Sequence, residues 1–148
     1  MNFHIALQII ITSIVATSIM TLFSYVISAS ARKLYKEPVL LTYILTSLKI
    51  EISLQTKIIL GWVVHYLIGL FFVLIYHWLW LYNIVAMSWS AAFILGILSG
   101  IIGILSWALL FAIVPKKVNI DFKGYYVQLF TVHIIFTVVA FIIYQLFI

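Results

Sequence analysis

The sequence contains no cysteine and only three acidic residues, and each shortage removes a class of function. Without cysteine there is no disulfide, no thiolate nucleophile and no cysteine-ligated metal. The acids, Glu37, Glu51 and Asp121, are scattered among lysines between apolar runs. That leaves no paired-carboxylate arrangement, no HExxH, and no nucleophile with a base and an orienting group. The three read as solvated loop charge and the chain as non-enzymatic. Charged residues make up only 7% against 67% hydrophobic, with mean hydropathy +1.31, which excludes a soluble domain.

What the chain has is apolar length. Hydrocarbon roughly 30 Å thick needs about 20 apolar residues per helix. Four windows meet that length without an Asp, Glu, Lys or Arg: Phe3 to Ala29, Ile58 to Tyr82, Met87 to Val114 and Tyr126 to Ile148. They predict one all-α domain, an integral membrane four-helix bundle, with a short interfacial amphipathic segment between helices 1 and 2. Met1 to His4 has no positive n-region, and the run that follows exceeds a signal-peptide core, so it reads as a retained span.

All eight basic residues fall in two loops: Arg32, Lys33, Lys36, Lys49 and Lys57 after the first span, and Lys116, Lys117 and Lys123 after the third. Four spans put both loops on one side. The positive-inside rule makes that side cytoplasmic, with both termini and the Asn83 to Met87 turn outside. The net charge of +5 is then accounted for by anionic lipid headgroups, without nucleic acid.

In the first span Ser13, Thr17, Thr21, Ser24 and Ser28 recur at one turn each, on one helical face. Small hydroxyl residues allow close packing and bond back to the helix; a polar transport path is the alternative. Pro38 suits the first turn of a short helix whose Leu40, Leu41, Ile44, Leu45 and Leu48 share a face at the cytoplasmic interface. LKIEISLQ alternates with period two, which admits a short extended segment.

The second span carries Gly61, His65 and Gly69 on one face, and ends in an aromatic belt of Tyr76, Trp78, Trp80 and Tyr82, joined by Trp89. His77, within that belt, reads as a polar group reaching water. The third span holds Ala92, Gly96, Gly100 and Gly103, whose GxxxG pattern means close helix contact, within the bundle or between protomers. Pro115 ends it. The fourth places His133, Thr137, Ala140 and Tyr144 on a shared face.

Titratable groups are costly in hydrocarbon, so His65 and His133 need partners. Each lies seven residues from the inner end of its span, roughly 10 Å deep at 1.5 Å per residue. With Trp107, Trp62 and Thr21 at similar depth they form a candidate inner-leaflet cluster. Three readings stay open. The imidazoles are neutral packing groups bonded to each other, to hydroxyls or to backbone; or they line a ligand or lipid-headgroup site capable of proton movement; or they ligate a b-type haem, with Gly61 and Gly69 leaving room for the porphyrin. His4 and His77 form a possible outer pair. The corresponding functions are a non-enzymatic subunit or accessory protein of a membrane complex or homo-oligomer, a haem electron-transfer protein, and a small transporter or oligomeric pore.

With Ala16-Thr17 and Met20, then Trp62, His65 and Gly69, then Gly100, Trp107 and Pro115, then His133 and Tyr144, the chain resembles a family of small bacterial four-helix membrane proteins known as a domain of unknown function. The resemblance runs through most of the chain. It departs where the family has Tyr-Gly and this chain Phe136-Thr137, and where a later family glycine is Ala140 or Phe141. It implies the bacterial inner membrane and the four-helix architecture, directs attention to His65 and His133, and brings no activity, substrate or cofactor.

Overall fold

A computed structural model describes residues 3–115 and 118–147; Lys116, Lys117, Met1, Asn2 and Ile148 lie outside the described residues. The fold is all-helical, with no strand among the described residues. The elements are α1 (Phe3–Ala31), α2 (Glu37–Ser47), α3 (Leu54–Leu81), α4 (Trp89–Ile113) and α5 (Phe122–Gln145). All but α2 are long and apolar enough to cross a membrane. Their outer surface is also apolar: Ile14, Leu67, Phe71, Leu105 and Leu109 are all exposed. A continuous surface of that kind suits lipid rather than water.

Two helices begin four residues earlier than the apolar windows. Ser53 caps α3 by accepting from the Thr56 N–H at 3.1 Å, and Asp121 caps α5 by accepting from the Gly124 N–H at 3.1 Å. Each cap satisfies an orphan donor of the first turn. Lys57 and Lys123 then fall inside helices rather than in loops. LKIEISLQ is not an extended segment: the chain bends and turns into α3 directly after Ser53.

α5 packs along both α1 and α4, α1 also packs along α3, and α2 lies on α3. Small residues set these contacts. A Cβ at Gly96 would come within 2.8 Å of Ile134, one at Gly100 within 2.8 Å of Phe130, and one at Gly103 within 2.7 Å of the His133 ring. The GxxxG stripe therefore makes an α4–α5 contact inside the chain. On α3, Gly61 receives the Pro38 carbonyl and the Thr42 hydroxyl of α2, and Gly69 receives the Thr17 hydroxyl of α1. Ser13, Thr17, Thr21, Ser24 and Ser28 are all buried, as a packing face requires.

α2 does not lay its apolar face on lipid. Leu40, Leu41 and Ile44 are buried against the protein, where they join Tyr35, Trp107, Tyr125 and Leu129 in a core at the basic end. Leu48, at the far end of that face, is exposed. A second core holds Phe72, Val73, Tyr76 and Trp80 of α3 against Phe136, Phe141 and Tyr144 of α5. Large aromatic side chains fill the space where α3 stands off from α5. The expected outer belt is therefore split: Trp78, Tyr82 and Trp89 face outward, but Tyr76 and Trp80 point inward.

The loops at the basic end are tied together. Lys33 Nζ lies 3.6 Å from Asp121 Oδ2, and the Tyr35 hydroxyl donates to the same oxygen at 3.0 Å. The Gly124 N–H, then Tyr35 and the Lys33 charge, hold the Asp121 carboxyl below the usual carboxylate range.

Candidate functional site

Between the two apolar cores lies a polar layer, and its centre is a residue expected in solvent. Glu37 is 2% exposed. It opens α2 at the end of a helix that favours an anion, and the docking of Pro38 and Thr42 on Gly61 carries it inward. Its Oε1 accepts from Ser24 Oγ at 3.0 Å and from Gln128 Nε2 at 3.3 Å, while Gln128 also donates to Ser24 at 2.7 Å. Oε2 is buried without a partner. Burial pushes the carboxyl up to about 7, and the bonds from its own backbone, Ser24 and Gln128 only partly oppose that. The reading of Glu37 as solvated loop charge is corrected: desolvation by α1, α2 and α5 outweighs its proximity in sequence to Lys33 and Lys36.

Glu37 shares a cavity of about 50 Å³ with His65, His133, Thr17, Phe72 and Trp107. That volume exceeds the roughly 10–15 Å³ one water occupies by this measure and falls far short of the roughly 300 Å³ of a small-molecule pocket. The chamber is sized for a few water molecules or ions of similar size.

The two imidazoles face this chamber with defined tautomers. Thr21 Oγ1 donates its single hydrogen to the Thr17 carbonyl at 2.6 Å. Its 2.8 Å contact with His65 therefore requires His65 Nε2 to donate. His133 Nδ1 lies 2.8 Å from the Leu129 carbonyl, which only accepts, so Nδ1 carries the hydrogen there. In the neutral rings His65 Nδ1 and His133 Nε2 are left as acceptors. The histidines are thus bonded to a hydroxyl and to backbone, not to each other. The space His133 occupies exists because residue 103 is glycine.

Of the five residues proposed as a cluster, His65, His133 and Trp107 line the chamber and Thr21 supports it through His65. Trp62 does not. It faces a shallow outer groove with Tyr66 and Tyr25, its ring nearly perpendicular to that of His65 at 6.5 Å between centroids. Ser106, at the same depth, is exposed.

Two further polar groups lie beyond the Phe72 and Phe136 rings. Tyr76 Oη sits 2.5 Å from Ser99 Oγ and 2.8 Å from Thr137 Oγ1, joining α3, α4 and α5. His77 is buried, not wet: Nδ1 lies 2.6 Å from the Tyr144 hydroxyl, and Gln8 donates to the Tyr144 carbonyl at 3.0 Å. His4 is exposed and stacks edge-on against Phe3, so there is no outer histidine pair.

The residues do not fit a haem between α3 and α5. The space at Gly61 and Gly69 is taken by α2 and by Thr17, and about 50 Å³ remains between the histidines. Among the described residues no three histidine or acidic side chains converge as a metal site. Sequence reasoning missed Glu37, Gln128 and Tyr76. Gln128, an amide inside an apolar span five residues before His133, was the available signal.

No protein-family model matches the chain, and no curated protein or solved structure is significantly similar to it. The resemblance drawn from Trp62, His65, Gly100 and His133 stands on those residues alone.

Proposed function

We propose that the chain is a four-helix integral membrane bundle of the bacterial inner membrane, non-enzymatic, and that it works as a proton-binding subunit or accessory protein centred on the Glu37, His65 and His133 chamber. The observation that carries this reading is the unpartnered Glu37 Oε2 in a water-sized cavity shared with two imidazoles. An unpaired buried polar atom costs about 1–3 kcal/mol, more if charged, so the site favours an occupant able to hydrogen-bond or a neutral carboxyl. A carboxyl and two imidazoles offer three places for a proton around one small cavity. The basic end lies at the cytoplasmic face among anionic headgroups, with both termini outside.

The test is infrared difference spectroscopy of the protein in lipid nanodiscs across a pH titration. A protonated-carboxyl C=O band should appear on acidification around neutrality in the native chain and be absent in Glu37→Gln. If the two spectra titrate alike, Glu37 is not the protonating group and the reading fails.

A further inference from the structure

We infer that the buried polar groups form a gated proton path running the length of the helices, with Glu37 as its entry and the His77–Tyr144 pair as its far end. This rests on the chamber as a proton-binding site and extends it from a site to a route. On α1, the polar residues Gln8, Thr12, Ser13, Thr17, Thr21, Ser24 and Ser28 are all buried. From Gln8 to Ser28 they cover about 30 Å at 1.5 Å per residue, the thickness of the hydrocarbon. A packing face alone needs small residues there, not a glutamine, and does not need protonatable side chains opposite every level.

Yet such side chains are there. At the basic end α2 supplies Glu37 and α5 supplies Tyr125, whose buried hydroxyl has no partner. The Tyr25 phenol of α1 is within electrostatic reach of Glu37 and lies under the Lys36 ammonium at 4.5 Å. Next come His65 of α3 and His133 of α5. Of the residues lining the chamber α4 supplies Trp107, which does not titrate, while Gly103 makes room for the His133 ring.

One turn further along α5, Thr137 donates to the His133 carbonyl and meets Tyr76, which also touches Ser99. A hydroxyl between two hydroxyls accepts a proton on one side as it releases one on the other; Thr137 must first turn its hydrogen from the His133 carbonyl, and each hydroxyl must rotate back before the next proton. His77 and Tyr144, bonded to each other, follow toward the outer end, with the Trp80 ring between Tyr76 and Tyr144.

Apolar rings close the column between the chamber and Tyr76. Phe72 and Phe136 lie 6.3 Å apart between the chamber and Tyr76, with Phe72 5.8 Å from the His133 ring and Phe136 6.2 Å from Tyr76. An apolar layer one residue thick makes the route a relay that passes protons when those rings move, rather than an open pore.

The experiment is proton uptake into liposomes holding the full chain, with an enclosed pH dye and a potassium diffusion potential set by valinomycin, potassium efflux balancing the charge. Uptake above that of empty liposomes is expected for the native chain, and its loss to the empty-liposome level for both Tyr76→Phe and Glu37→Gln. Each variant must match the native chain in helical content and elution volume; Thr137→Val replaces any variant that does not. Absence of uptake in the native chain, or uptake that survives any of these substitutions, overturns the path. A carboxyl that titrates in the infrared without proton uptake removes the path and keeps the chamber; failure of both removes both.

Discussion

Glu37 and Gln128, separated by 91 positions in the chain, meet through a hydrogen bond of 3.3 Å from the amide to the carboxylate. The contact joins a helix too short to span to the first third of one that is long enough. It places a titratable oxygen about six residues, or roughly 9 Å, inside the first turn of α5. What the site can do depends on the charge carried there.

The pH dependence of stability follows from that burial. The Glu37 carboxyl is raised from 4.5 to about 7, so the folded chain holds a proton that the unfolded chain releases. The Glu37 contribution to stability should be full below about 4.5, decline as pH rises through the interval to about 7, and be lost above it. The shift corresponds to about 3 kcal/mol. Thermal unfolding in detergent across that range should show the slope in the native chain and its loss in Glu37→Gln. An unchanged slope in the variant assigns the dependence to another group.

The fit between Gly69 and Thr17 should be visible as coupling. Gly69→Ala drives a methyl into the Thr17 hydroxyl, which should cost about 1–3 kcal/mol as overpacking does. Thr17→Ala removes the obstacle, so the double variant should recover most of the loss. Additive losses in a double-mutant cycle would show that the two helices do not touch at this level.

An absorption spectrum separates the remaining histidine readings. With the glycine spaces occupied by α2 and Thr17, the protein purified from membranes with haem available should show no Soret band. A Soret band lost in His65→Ala or His133→Ala would mean that α2 moves aside to admit a porphyrin.

The Lys33–Asp121 pair lies where the first and third loops meet at one end of the helices. Cysteines placed at Arg32 and Lys123 should label from the same side of the membrane, and those at His4 and Asn83 from the other. Labelling of Arg32 and Lys123 from opposite sides is incompatible with the 3.6 Å pair.

Much of this was legible in the sequence. Length and apolarity were enough for the four long helices, and equal depth from the basic end was enough to bring His65 and His133 to one cavity. The helix starts were missed by four residues because Lys57 and Lys123 look like loop charge, whereas the caps at Ser53 and Asp121 lie just before them. Facing was harder to read. A helix that is apolar all round carries no pattern to say which aromatics point inward, so Tyr76 and Trp80 could not be told from Trp78. Glu37 was hidden for a different reason. Its neighbours in sequence, Lys33 and Lys36, are solvated, and only the docking of Pro38 and Thr42 on Gly61 turns it away from them.

The shortness of α2 also bears on how the protein is made. An acid at the centre of a spanning helix costs about 2.5–3.5 kcal/mol during insertion. Here the four segments that must be threaded through the bilayer can enter before any buried carboxylate exists. Glu37 sits on an 11-residue helix too short to cross, so its carboxylate need not enter with them. Membrane integration and assembly of the polar centre are therefore separable, and a nascent chain can be correctly inserted while its chamber is still open.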